Sequence, residues 1–135
     1  MGIDFLEKIF LLHEEFAKPK DLIRVERMSR HMYDIGQMLK TPIAEKAIHD
    51  EQLYAQIVEH LRTFVGLHGF DYDTLYPATL NIIPPYSIID QWEADYENMR
   101  LHMIYGESVS FEKLVNNLKE LNDKIGRLHT NFTKN

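Results

Sequence analysis

In every long stretch of this chain that is free of proline, the apolar residues recur three and four positions apart. That spacing is the period of a helix with one apolar face. It confines the chain to an all-α fold. Phe5, Leu6, Ile9, Phe10, Leu12, His13 and Phe16 set out a first amphipathic helix. It must end before Pro19, because the residue ahead of a proline is pushed out of helical geometry. Asp21 suits an N-cap, and Val25, Met28, Met32, Ile35 and Leu39 then form a seam along a second helix, Asp21 to Lys40. Gly36 weakens that helix by only about 1 kcal/mol.

Thr41-Pro42 restarts the chain, with proline at a position that suits a first helical turn. A short helix follows, then a turn near His49-Asp50. Asp50 caps a longer helix carrying Leu53, Tyr54, Ile57, Val58, Leu61, Phe64 and Val65. Gly66 to Tyr86 breaks the pattern with Gly66, Gly69, Pro77, Pro84 and Pro85. This loop is rich in Tyr, Leu and Ile, so it should pack across the helices. Only Leu80 to Ile83 suggests a short extended piece. Ser87, with Asp90 three residues on, can cap a helix faced by Ile88, Ile89, Trp92, Tyr96, Met99 and Met103. That helix should stop at Tyr105-Gly106-Glu107. Ser110 can cap the last helix, lined by Phe111, Leu114, Val115, Leu118, Leu121, Ile125 and Leu128, ahead of a polar, frayed tail. The expected architecture is a bundle of about five helices with one long loop containing proline and glycine. With 135 residues, positions 1–135 fit one helical domain.

Charge and composition remove several functions. A net charge of −6 argues against a dedicated nucleic-acid binder, whose affinity comes from Lys and Arg neutralising phosphates. The absence of cysteine removes disulfides, thiolate nucleophiles and Cys-based zinc sites together. Asp4, Glu7, Lys8, Glu14 and Glu15 interrupt the N-terminal apolar residues, unlike a signal peptide. No run approaches the roughly 20 apolar residues of a membrane span. A cytoplasmic protein without membrane contact is the expectation.

Recognisable catalytic patterns are missing as well. There is no glycine-rich phosphate loop and no Gly-x-Ser-x-Gly turn. The seven histidines form no pair at metal-binding spacing, so no metal site is expected in this chain. Asp71 and Asp73 read as turn chemistry. Glu93, Asp95 and Glu97 read as the solvated face of a helix.

One stripe stands out. Arg24, Arg27, His31 and Asp34 repeat at three- and four-residue spacing, and Arg30 lies four before Asp34. On one helix these would share a face, with Arg30 able to pair with Asp34. A solvated, salt-bridged face is the plainer reading. The functional one is an anion site, since arginines bind phosphate or carboxylate through forked hydrogen bonds. Lys8, beside Phe5 and Leu12 on the first helix, is by the same standard a lysine whose stem covers apolar surface.

The segment Glu7-Lys8-Ile9-Phe10-Leu11-Leu12-His13-Glu14-Glu15 is followed by Arg24-Val25-Glu26-Arg27-Met28-Ser29-Arg30-His31-Met32-Tyr33-Asp34-Ile35. Together they resemble the AbiEii/AbiGii-type nucleotidyltransferase toxins of abortive-infection, type IV toxin–antitoxin systems, which are bacterial. Tyr105-Gly106-Glu107-Ser108-x-Ser110-Phe111 resembles a branch of the same family, and the similarity spans about Phe5 to Leu128. The likeness is to the family's C-terminal helical half. It implies transfer of a nucleotide from a nucleoside triphosphate to an acceptor, tRNA being one candidate, with magnesium held by a separate core. By resemblance Lys8 faces the nucleotide phosphates and Asp34 is the catalytic acid. Arg27 and Arg30 orient that acid or touch phosphate. Two departures accompany the match. No Gly-Ser turn with an Asp-x-Asp pair stands ahead of Lys8, and Asp71-Tyr72-Asp73 has the letters without the turn. His31 stands where many members carry an acid.

Two readings follow. In the first, the chain is the C-terminal domain of a nucleotidyltransferase, not catalytic alone and partnered by the missing core. In the second, it is a stand-alone interaction module that binds an antitoxin or self-associates as a homodimer through a face containing Phe5, Phe10 and Lys8.

Overall fold

The structure is a computed structural model that describes residues 2–66, 70–102 and 108–128. Among the described residues six α-helices follow one another: α1 (Gly2–Phe16), α2 (Ser29–Met38), α3 (Pro42–His49), α4 (Glu51–Phe64), α5 (Ile89–His102) and α6 (Phe111–Leu128). Short 3₁₀ turns at Lys20–Leu22 and Tyr72–Leu75 complete the regular structure, and no strand occurs among the described residues. The all-α class is as the spacing required. No helix among the described residues is long and apolar enough to cross a membrane.

α1 packs against α2, α3 and α4, while α2 also packs against α5 and α6. This central place explains why Phe5, Leu6, Ile9, Phe10 and Leu12 are all fully buried. Phe10 meets Tyr54 of α4 edge-on at 4.9 Å between ring centroids, and Phe16 meets Trp92 of α5 at 4.8 Å. The expected apolar face at Phe5 and Phe10 is therefore core. A homodimer through Phe5 and Phe10 would require opening the bundle.

α3 and α4 begin where the proline and the aspartate placed them. Pro42 opens α3, and the Asp50 carboxylate accepts from Leu53 N–H at 3.0 Å. Ser110 Oγ likewise accepts from Lys113 N–H at 3.1 Å at the start of α6. Thr41 differs: its hydroxyl donates back to the Met38 carbonyl at 2.7 Å instead of capping forward. α5 starts at Ile89, two residues beyond Ser87. Its expected end at Tyr105-Gly106-Glu107, and the tail after Leu128, lie outside the described residues.

The loop after α4 packs as expected. Tyr72, Leu75, Tyr76, Leu80 and Ile82 are buried, and the Tyr54 hydroxyl of α4 donates to the Leu75 carbonyl. The extended piece near Leu80–Ile83 pairs with a side chain, not a strand. Asn122 of α6 accepts from Ile82 N–H and donates to the Leu80 carbonyl, both at 3.0 Å. His13 closes the other side. Its Nδ1 accepts from Asn81 N–H at 2.9 Å, which leaves Nε2 to donate to Thr74 Oγ1 at 2.9 Å.

The second helix is where sequence and structure part. Expected from Asp21, it begins at Ser29. Residues 20–22 form a 3₁₀ turn, Ile23 is extended, and Arg27 sits in the left-handed region at φ 63°. The cause is competition for backbone donors. Arg27 N–H and Ser29 N–H both go to the Asp95 carboxylate, at 2.7 and 3.1 Å. A helix starting at Asp21 would need those N–H groups as it propagated.

Candidate functional site

The seam between α1 and α2 gathers the charged residues. Lys8 leaves α1 and its Nζ lies 3.2 Å from Asp34 Oδ2 on α2, with both side chains about one-third exposed (32% and 33%). Asp34 thus meets Lys8, not Arg30 as helix spacing alone suggested. His31 lies one turn before Asp34, where Lys8 and Asp34 both act on it electrostatically. Its Nδ1 is shielded from solvent and has no hydrogen-bond partner among the described residues. Burial pushes the imidazole below its usual pKa. The positive charges of Lys8, Arg24 and Arg30 add to that, while Asp34 opposes it. His31 is therefore neutral near pH 7.

Farther along the seam Glu15 acts as an anchor. Its side chain is only 2% exposed. Arg24 donates to it from Nε at 3.0 Å, from a terminal guanidinium nitrogen at 2.8 Å and from its backbone N–H, and Lys18 donates at 3.0 Å. Burial alone would raise this carboxyl, but the Arg24 and Lys18 hydrogen bonds outweigh it and hold the group below the usual carboxylate range. Arg24 is consequently a structural partner of Glu15, not a member of a helical arginine stripe.

Arg27 and Arg30 go elsewhere. Among the described residues, neither forms a hydrogen bond or ion pair with Asp34. Both line a cleft against α5 with Asp95, Asn98, Met99 and His102. Asp95, read from spacing as solvated, accepts from Arg27 N–H, from Ser29 N–H at 3.1 Å and from the Ser29 hydroxyl. It caps α2 from another helix. Nothing in the order of residues pairs positions 29 and 95, and Glu15 has no local signal marking it as buried.

The seam can bind an anion or exchange a proton. Lys8 supplies a positive point charge at a partly open surface, and the carboxylate beside it accepts hydrogen bonds. A magnesium site needs several oxygen ligands. Asp34 is one carboxylate engaged by Lys8, and no group of three histidines or acids is placed to hold a metal among the described residues. Asp71 and Asp73 are likewise local: Asp71 accepts from Asp73 N–H at 3.0 Å, and Asp73 pairs with Arg62.

Comparison with curated proteins and with solved structures gives no match. A family model described as nucleotidyl transferase AbiEii toxin, type IV TA system, matches residues 5–117. Those residues take in α1, α2 and the Lys8–Asp34 pair, while the Tyr105-Gly106-Glu107 part of the resemblance lies outside the described residues. The match covers most of the chain, and the chain belongs to the AbiEii nucleotidyl transferase toxin family of type IV toxin–antitoxin systems.

Proposed function

We propose that this chain serves as the C-terminal helical domain of an AbiEii-type nucleotidyltransferase, placing Lys8 against the triphosphate and Asp34 beside it. The observation that supports this most is the Lys8–Asp34 contact at 3.2 Å, which joins residues 26 positions apart in the two segments that resemble the family. In phosphoryl-group chemistry the protein mainly positions and neutralises charge. A lysine at a partly open seam can offset developing charge on a phosphate. Asp34 holds the ammonium in place and accepts a hydrogen bond or proton from an acceptor hydroxyl. The nucleoside triphosphate is a substrate in this reading. Magnesium would need ligands beyond this seam. The antitoxin and a cytoplasmic setting follow from the family relation as parts of the same proposal.

Exposed ion pairs contribute roughly 0–1 kcal/mol to stability. Lys8→Ala should therefore leave folding intact, which makes it a clean test. In the protein as its host produces it, transfer of labelled nucleotide from each of the four nucleoside triphosphates is measured for the parent, Lys8→Ala and Asp34→Asn. Loss of at least about 100-fold in transfer, a size typical of removing one charge-stabilising group, with unchanged circular dichroism, is the expected result. Transfer at the parent rate in Lys8→Ala would overturn the assignment.

A further inference from the structure

A second cluster of charge lies where residues 27–30 meet α5. Arg27, Arg30, Asp95, Asn98, Met99 and His102 line a cleft of about 310 Å³. On α5 the four contributors are three and four residues apart, so they share a face. The Asp95 carboxylate is taken up by Arg27 N–H, Ser29 N–H and the Ser29 hydroxyl. It is spent on backbone and hydroxyl donors. Arg27 and Arg30 are both exposed and form no ion pair among the described residues. Two arginines thus line one cleft with no carboxylate paired to their side chains among the described residues, and Asn98 and His102 add further polar groups.

The forked guanidinium of an arginine fits the oxygens of a phosphate, which it can hold through two parallel hydrogen bonds. The volume is at the lower end of small-molecule pockets, roughly 300–1,000 Å³. A bare phosphate would leave much of it empty. Met99, only 6% exposed, supplies an adaptable apolar wall. We propose that this cleft is a phosphate-ester site, separate from the Lys8–Asp34 pair, in which Arg27 and Arg30 hold the phosphate and Met99 supports the organic group. A phosphate monoester of nucleotide size or smaller is the ligand class. The site stands on its own geometry and does not depend on Lys8 and Asp34 handling a nucleotide.

The test titrates the 135-residue chain with uridine 5′-monophosphate, ribose 5-phosphate and inorganic phosphate, following backbone amide shifts by NMR. Both esters should shift the amides of Arg27, Arg30 and Asn98 and bind more tightly than inorganic phosphate. Arg30→Gln and Arg27→Gly should each weaken ester binding by about tenfold or more, the loss expected for one charge-assisted hydrogen bond. Lys119→Ala, at an exposed lysine of α6, should leave it within about twofold. Absence of ester binding up to about 10 mM would overturn the proposal. So would binding that Lys8→Ala removes and the arginine variants leave intact, which would assign the phosphate to the α1–α2 seam. Equal affinity for inorganic phosphate and both esters would overturn the role given to Met99 and, with it, the ester assignment.

Discussion

Asp95→Ala removes the only acceptor that the described residues provide for three donors at the entry to α2: the N–H groups of Arg27 and Ser29 and the Ser29 hydroxyl. Ser29 is fully buried, so its N–H and hydroxyl cannot recover a water partner. A buried donor left unsatisfied costs about 1–3 kcal/mol, and loss of a helix N-cap about 0.5–2 kcal/mol. These terms overlap because they describe the same bonds. A combined loss of about 3 kcal/mol is the reasonable sum. At about 2.1 cal/mol/K per residue, 135 residues unfold with an entropy near 0.28 kcal/mol/K, so the melting temperature should fall by about 10 °C. Thermal melts followed by far-ultraviolet circular dichroism read this directly. Glu93→Ala, an exposed carboxylate on the same helix, serves as the control and should stay within about 0.5 kcal/mol of the parent. Asp95→Asn keeps one acceptor oxygen and should fall between the two. If Asp95→Ala melts within about 2 °C of the parent, a shift worth about 0.5 kcal/mol, Asp95 is not the cap of α2.

Other substitutions probe neighbouring features. Arg27→Gly relieves a left-handed backbone position worth about 1–2 kcal/mol against a non-glycine residue, less about 0.5–1 kcal/mol of added chain entropy. Urea unfolding should show a gain of about 0.5–1 kcal/mol, and a loss would contradict strain at φ 63°. A Cβ at Gly36 on α2 would lie 2.8 Å from Leu114 Cδ1 on α6. Gly36→Val should therefore lose about 2 kcal/mol in the same assay through overpacking, while in Gly36→Ala helix propensity largely offsets the contact. Equal stability of the two would show that α6 yields freely. For His13, burial lowers the pKa, and protonating Nδ1 would also set one N–H against the Asn81 N–H. Below its usual value of about 6.5 the unfolded chain takes up the proton first, so this contribution is full above that pH and declines as pH falls toward the folded pKa. His31 has the same sign. His13→Gln should accordingly lose less stability than the parent between pH 7.5 and pH 5, and identical losses would refute the clamp.

Helical periodicity revealed most of the bundle because the apolar stripes of α1, α4, α5 and α6 are local properties of consecutive residues. Asp50, Ser110 and Pro42 revealed their boundaries for the same reason: each acts within one turn of itself. The start of α2 was not legible. The stripe Val25, Met28 and Met32 has helical spacing, and Ile23 and Met28 are indeed buried. Yet the N–H groups of residues 27 and 29 are claimed by the Asp95 carboxylate of α5, and spacing contains no information about distant acceptors. The same limit scattered the arginine stripe, since Arg24 joins Glu15 and Arg27 turns toward α5. Resemblance singled out Lys8 and Asp34 in separate roles, and the packing of α1 on α2 brings them together. The burial of Phe5 and Phe10 follows from α1 lying among three other helices, which no single amphipathic pattern reports.

The bond from Ser29 to Asp95 spans 66 positions of chain. α2 has ten residues, fewer than the roughly 12–15 that hold a helix together in water unaided. Its first turn must therefore wait for a loop closure that brings α5 into place. The order of assembly follows: α1 and α4 can form early from local contacts, whereas α2 is completed only with the docking of α5. In the native protein the amides of Arg27 and Ser29 should then exchange with solvent at the rate at which α5 undocks, and should do so together with amides in the middle of α5, not with the fraying end of α2.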